Sequence, residues 1–226
     1  MKTFRNIVGV FLLLIGCNDS DNSLGILDLN PTDTVHLEYF GFTLIDTLWD
    51  DPTDSETKTN YSDEVAPFSN VADILVVEPT DNIISRMQNM HQLEMKSLLH
   101  VAALFFEIEG KDAPSGTDYK LRQDYQERWS TFVATNELAQ NQGFIQAYYV
   151  GEEPTWNGIT ANELKLAADL ISATTSGNPI MVIEAYPALD ALQLPASVTW
   201  LGFDHYFIAD PANDPTFLGE LGTIKS

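Results

Sequence analysis

A chain of 226 residues with 44% hydrophobic and 11% aromatic content has the material for a globular core, which excludes a disordered or fibrous polymer. Its 33 acidic against 11 basic side chains give a formal net charge of −22, a surface that repels phosphate backbones and anionic headgroups and so argues against nucleic acid as a partner. The one cysteine, Cys17, rules out an internal disulfide and a cysteine metal cluster.

Lys2 and Arg5 open the chain with positive charge, an apolar run follows from Ile7 to Ile15, and the small Gly16 precedes Cys17. These are the three parts of a secretory signal. The apolar run is shorter than the roughly 20 residues that a permanent membrane-spanning helix needs. Leu14-Ile15-Gly16-Cys17 resembles the lipobox of bacterial lipoproteins. That resemblance implies a lipid on Cys17 and a location in the cell envelope, with the membrane as a partner through the anchor. Asp19 and Asp21, just after the cysteine, are similar to the surface-export signals of some Gram-negative lipoproteins, which implies the outer-membrane surface. The expected organisation is a signal peptide over 1–16, an acidic polar tether over 17–33 and a single folded domain over 34–226.

Along the domain, β-branched and aromatic residues from Val35 to Ile45 predict a first strand, followed by an acidic loop from Asp46 to Asp63. Ala72 to Val77 predicts a second strand, and Ile83, Ile84, Met87, Met90 and Leu93 recur at helical spacing. Leu98 to Phe106 is almost wholly apolar, as a strand buried on both faces should be. A helix is expected from Asp118 to Asn141, with Leu121, Tyr125, Trp129, Phe132, Val133 and Leu138 on one face. Ile145 to Val150 predicts a fourth strand. Thr160 and Glu163 have the spacing of a capping box and start a helix that Gly177 ends. Pro179 to Ile183 and Val198 to Phe203 predict the fifth and sixth strands, and a short helix from Asp214 to Ile224 follows.

Strands that alternate with helices predict an α/β fold around a parallel sheet. No glycine-rich turn joins a strand to a helix, so a dinucleotide-binding sheet lacks its phosphate cradle. A (β/α)8 TIM-barrel-like fold fits better. Only about six βα units are visible, and barrels typically take roughly 250 residues, so the last one or two units are expected to be missing.

In a barrel the site lies at the carboxyl ends of the strands. Those ends carry Glu78, Glu107, Glu152, Glu153, Glu184 and Asp204, with Tyr149, Trp156, Tyr186, His205, Tyr206 and Phe207 nearby. Carboxylates exchange protons and hold hydroxyls, while flat rings stack on the apolar faces of sugars, so this mixture suits a carbohydrate. Adjacent carboxylates such as Glu152 and Glu153 repel each other, which favours keeping one of them protonated. The histidines His36, His91, His100 and His205 have no His-x-x-x-His spacing, and neither a metal nor another cofactor is expected. His100 reads as a hydrogen-bonded core residue.

Tyr148-Tyr149-Val150-Gly151-Glu152-Glu153-Pro154 resembles the fourth-strand motif of (β/α)8 glycoside hydrolases, in which Asn-Glu-Pro or Asp-Glu-Pro carries the general acid/base. Trp200 to Tyr206 is similar to the sixth-strand segment of the same group, which often contacts sugar. The resemblance implies that Glu153 is the acid/base, with Glu152 standing where the group has Asn or Asp. Glu184, Tyr186, Asp204, His205, Tyr206 and Trp156 are then the expected substrate contacts. For the retaining members of the group it also implies a nucleophilic Glu after a seventh strand. That residue belongs to a missing part, or carboxylates of earlier strands suffice, or the barrel binds glycan without cleaving it. The expected function is hydrolysis of an oligo- or polysaccharide at the cell envelope, and the alternative is a non-catalytic carbohydrate-binding lipoprotein.

Overall fold

Residues 38–47, 49–50, 55–175 and 177–225 are described in the computed structural model. The signal peptide over 1–16, the lipidation residue Cys17 and the tether over 17–33 lie outside the described residues.

The chain begins with β1 (Gly41–Asp46), a helical turn α1 (Ser62–Val65), β2 (Val71–Leu75), α2 (Ile84–Gln92) and β3 (Lys96–His100). A short turn α3 (Ala102–Phe105) then leads into β4 (Phe106–Gly110), β5 (Asp118–Leu121), α4 (Tyr125–Thr135) and α5 (Leu138–Asn141). The remainder is β6 (Ile145–Glu152), α6 (Ala161–Thr174), β7 (Ile180–Ala185), β8 (Trp200–Asp204) and α7 (Pro215–Lys225). Six strands form one sheet in the order β1-β2-β3-β6-β7-β8, every neighbouring pair parallel. The order never reverses, so the sheet is singly wound. Right-handed crossovers in such a sheet put all the helices on one face.

The two faces differ as that rule requires. Ala72, Ile74, Leu99, Tyr148, Val150 and Val182 point into a core shared with Met87 and Met90 of α2, Trp129 and Phe132 of α4, and Leu164, Ala168 and Ile171 of α6. On the opposite face Val71, Leu98, Ala147, Tyr149, Met181 and Ile183 pack against one another and against Tyr39 and Trp200. A face covered by other strands of its own sheet is the inside of a barrel. The fold is α/β and TIM-barrel-like, as the alternation of strands and helices predicts.

Two predicted elements differ from what is observed. The apolar run from Leu98 leaves the sheet after His100, where the Val101 N–H still donates to the Tyr149 carbonyl at 2.9 Å. The rest of the run is apolar because it packs on helix α4, with the Phe105 and Trp129 rings 5.5 Å apart. Phe106 then starts a hairpin. Its return strand occupies 118–121, the stretch predicted as the first turn of a long helix. Tyr119 and Leu121 pair across this hairpin with Ile108 and Phe106. The helix begins only at Tyr125, and the left-handed backbone of Glu137 (φ 46°) separates it from α5. The capping box forms as predicted: Thr160 Oγ1 accepts the Glu163 N–H, and Glu163 Oε2 accepts the Thr160 N–H. The second Glu163 oxygen accepts the Leu121 N–H at 3.0 Å, which ties the hairpin to α6.

Candidate functional site

Glu152 is the last residue of β6, the fourth barrel strand, and Glu153 begins the loop after it. Glu153 has φ 49°, a left-handed backbone that costs a non-glycine residue about 1 kcal/mol or more and is tolerated where the surroundings fix it. They do so here. The Glu153 N–H donates to the Ile183 carbonyl at 2.6 Å, and its own carbonyl accepts the Asn157 N–H at 2.8 Å. Asn157 Nδ2 donates back to the Glu152 carbonyl at 3.0 Å, and Ile159 N–H closes the loop on Pro154.

Glu184 lies beneath this loop at the end of β7, with 0% of its surface exposed. Its carboxylate accepts the backbone N–H groups of Thr155 at 2.8 Å, Trp156 at 3.3 Å and Ala185 at 3.0 Å. This places Glu184 as the clasp of the Glu153 loop. The β4–β5 hairpin braces the loop from the other side, through Ser115 N–H to the Trp156 carbonyl at 3.1 Å and Tyr119 N–H to that of Asn157 at 2.9 Å. Gly158 makes that approach possible. It sits at φ 79°, and a Cβ there would stand 2.5 Å from Asp118 Oδ1.

The Glu153 carboxyl is pushed up to about 8 from an ordinary 4.5. Partial burial is the largest cause, followed by a hydrogen bond and like charge from Asp204 and then by the charges of Glu152 and Glu184. Asp204, at the end of β8, is 8% exposed. Tyr206 donates its hydroxyl to Asp204 Oδ2 at 2.6 Å, while Oδ1 is buried without a permanent N–H or O–H donor. A hydrogen bond between Glu153 and Asp204 requires a proton on one of the two carboxyls. The Tyr206 hydroxyl is itself driven upward by burial and by its bond to Asp204.

The structure therefore brings Glu152, Glu153, Asp204 and Tyr206 together at the carboxyl ends of β6 and β8. Tyr186 and His205 stand beside them as a parallel stack, with centroids 3.9 Å apart and planes 6° from parallel. His205 Nδ1 also contacts Glu220 Oε2 of α7 at 2.7 Å, so the last helix holds this ring in place. Trp156 is half-buried in the Glu153 loop. Two other strand-end acids are occupied elsewhere: Glu78 pairs with Arg128 and Glu107 with Arg122, each at 3.2 Å. Among the described residues no three His, Cys, Asp or Glu side chains are grouped to hold a metal ion.

Sequence reasoning missed Asp73 and the part played by His100. Both lie on the inner face of the barrel, with His100 3.6 Å from Asp73 on one side and 3.6 Å from Glu152 on the other. The available signal was a carboxylate inside an otherwise apolar strand, Ala72-Asp73-Ile74-Leu75. Chemically, the ensemble sets one carboxyl, pushed up to about 8, among other acids, and exposed rings flank them. Such a set can donate a proton to a leaving oxygen and then take one from water.

In sequence the chain matches no family model and no curated protein. In structure it is similar to Saccharomyces cerevisiae Gas2p. Against the complex of Gas2p with laminaritriose and laminaritetraose the identity is 15% and the TM-score 0.40, over 58% of this chain and 31% of that one. Against the apo form of a Gas2p mutant the identity is 14% and the TM-score 0.42, over 68% of this chain and 36% of that one. The chain thus spans about a third of the length of these solved structures.

Proposed function

We propose that this protein is a glycoside hydrolase that acts on oligo- or polysaccharides, with Glu153 as general acid/base. The observation that carries this is the Glu153 carboxyl itself: half-buried after the fourth parallel strand, held in a fixed backbone geometry, and pushed up to about 8 by burial and by Asp204. A carboxyl of that kind is protonated at neutral pH and can protonate a glycosidic oxygen, then act as base toward water. Glu152 is the second catalytic carboxylate. Asp204, itself held by the Tyr206 hydroxyl, keeps Glu153 protonated, and Glu184 holds its loop. Tyr186, His205, Tyr206 and Trp156 supply the flat and hydrogen-bonding surface for the sugar. The reaction is tested by release of reducing ends from a panel of neutral oligosaccharides that includes laminari-, cello-, xylo- and manno-oligomers. Turnover of at least one class is expected. Binding of an oligomer without any new reducing ends would establish the carbohydrate-binding alternative instead.

The envelope location rests on the lipobox-like ending of the apolar run at Cys17. We place the protein on a bacterial membrane through a lipid at that residue, possible only once residues 1–16 are removed. Cys17→Ser is expected to shift the protein from the membrane to the soluble fraction. Unchanged fractionation, with no acyl mass on the mature amino terminus, would contradict the anchor.

A further inference from the structure

Two residues without a role in the chemistry above lie inside the barrel next to Glu152. Asp73, in the middle of β2, is wholly buried, and its Oδ1 accepts the Ile45 N–H at 3.2 Å. Its Oδ2 has no hydrogen-bond partner and faces His100 Nδ1 at 3.6 Å, a ring nitrogen that is likewise buried without one. Across the ring, His100 Nε2 stands 3.6 Å from Glu152 Oε2, and 56% of the Glu152 side chain is exposed. The Tyr149 ring covers the imidazole, with centroids 4.4 Å apart and planes at 31°. The three titratable groups thus run from the barrel interior toward its open end.

An isolated carboxylate is expensive to bury, and a well-packed apolar pair is often as stable as a buried ion pair. The neighbouring strands fill this same inner face with Leu98, Met181 and Ile183. A polar line that ends on a strand-end carboxylate therefore points to the site rather than to the core. We propose that Asp73 and His100 are positioning residues: Asp73 fixes the imidazole through Nδ1–H, and Nε2–H orients the Glu152 carboxylate beside Glu153. This rests on the glycosidase function proposed above. Each 3.6 Å contact becomes a hydrogen bond if it shortens by roughly 0.5 Å.

The electrostatic surroundings favour a charged ring. Burial pushes His100 toward the neutral form, but Asp73 and Glu152 outweigh it and leave the pKa above the ordinary 6.5. Asp204 of β8 adds negative charge around Tyr149, the residue that covers the ring, and Glu153 of the β6 loop adds to it only when ionised, above about 8. Behind Asp73, Asp46 of β1 is paired with Arg86 of α2 at 2.8 Å. The groups facing His100 itself are acids. Two adjacent carboxyls, Glu152 and Glu153, are thereby given opposite tasks, one held as an acceptor by the His100 ring N–H and one kept as a donor beside Asp204.

The test is NMR titration of the His100 ring in the whole chain, combined with kinetics. In the wild-type protein His100 is expected to titrate above 6.5, and Glu152→Gln and Asp73→Asn are each expected to lower that value. Glu152 is half-exposed, so its substitution decides the matter alone if Asp73→Asn fails to fold. On a substrate that is cleaved, His100→Gln should lower kcat by roughly 10–100-fold with little change in KM, as misplacement of a reacting group does. The double variant His100→Gln with Glu152→Gln should be no slower than Glu152→Gln alone, because His100 acts through Glu152. A His100 titration indifferent to Glu152→Gln, or losses that simply add, would overturn the proposal. If the wild type cleaves no glycan, the glycosidase function fails, and the NMR titration still decides whether Asp73, His100 and Glu152 are coupled.

Discussion

Glu153→Gln is expected to lose about 10²–10⁴-fold in kcat on oligosaccharides whose leaving group is another sugar, the usual contribution of a general acid. Glutamine keeps the length of the side chain and one hydrogen-bond donor toward Asp204, so the loop, its left-handed residue and the affinity for glycan should survive. What disappears is the transferable proton. The loss should be much smaller on activated aryl glycosides, because a good leaving group departs without protonation. Kinetics on the two substrate types separates a lost acid from general damage to the site, which would slow both equally. A Glu153→Gln protein that cleaves oligosaccharides at the wild-type rate would move the acid to another residue, Glu152 first.

Glu184→Ala should produce the largest stability loss of any substitution around the site. Its carboxylate satisfies three backbone N–H groups, those of Thr155, Trp156 and Ala185, in a position with no solvent exposure. Hydrogen bonds to a charged acceptor contribute about 1.5–3 kcal/mol each, and buried donors left unpaired are costly. Removing the buried charge returns part of its desolvation cost, so the net loss is expected near 2–4 kcal/mol rather than the full sum. The loop that loses its clasp is the one that carries Glu153, so turnover should fall by about 10²-fold or more through misplacement. Glu184→Gln, with one acceptor oxygen left, should lie between the two. Denaturant midpoints and kcat on the three proteins check this ordering. An unchanged midpoint for Glu184→Ala would show that water satisfies those amides equally well.

Much of the barrel was legible because its signals are local. The runs Ala72 to Val77 and Ile145 to Val150 are continuous and rich in β-branched or aromatic residues, which is what a strand between two covered faces requires. The Thr160 and Glu163 box lies within one helical turn. The hairpin at 106–121 was not legible. Phe105 and Phe106 continue an apolar run that looks like strand throughout, and Tyr119 and Leu121 find their partners across a loop rather than along a helix. Glu153 could be singled out, since a like-charged neighbour and a following proline are adjacent in sequence. The two different positions of Glu184 and Asp204 could not. Both are acids at strand ends, yet one turns toward backbone amides of the neighbouring loop and the other toward Glu153 and Tyr206. Which way such a side chain faces depends on contacts 29 residues away for Glu184 and Thr155, a separation that no local pattern encodes.

The pH dependence of kcat/KM on a cleaved oligosaccharide, in the wild type and in Asp204→Asn, measures the proposed chemistry most directly. A general acid works while protonated, and the Glu153 carboxyl is held up to about 8, so activity should persist through neutral pH and fall as pH rises through that value. Asp204→Asn removes a neighbouring negative charge and the carboxylate that accepts the Glu153 proton. Both changes favour ionisation of Glu153, so the basic limb should move toward lower pH. In Glu153→Gln the residual activity should lack this limb altogether. A basic limb that stays in place when Asp204 is replaced, or that persists in Glu153→Gln, would contradict Glu153 as the acid.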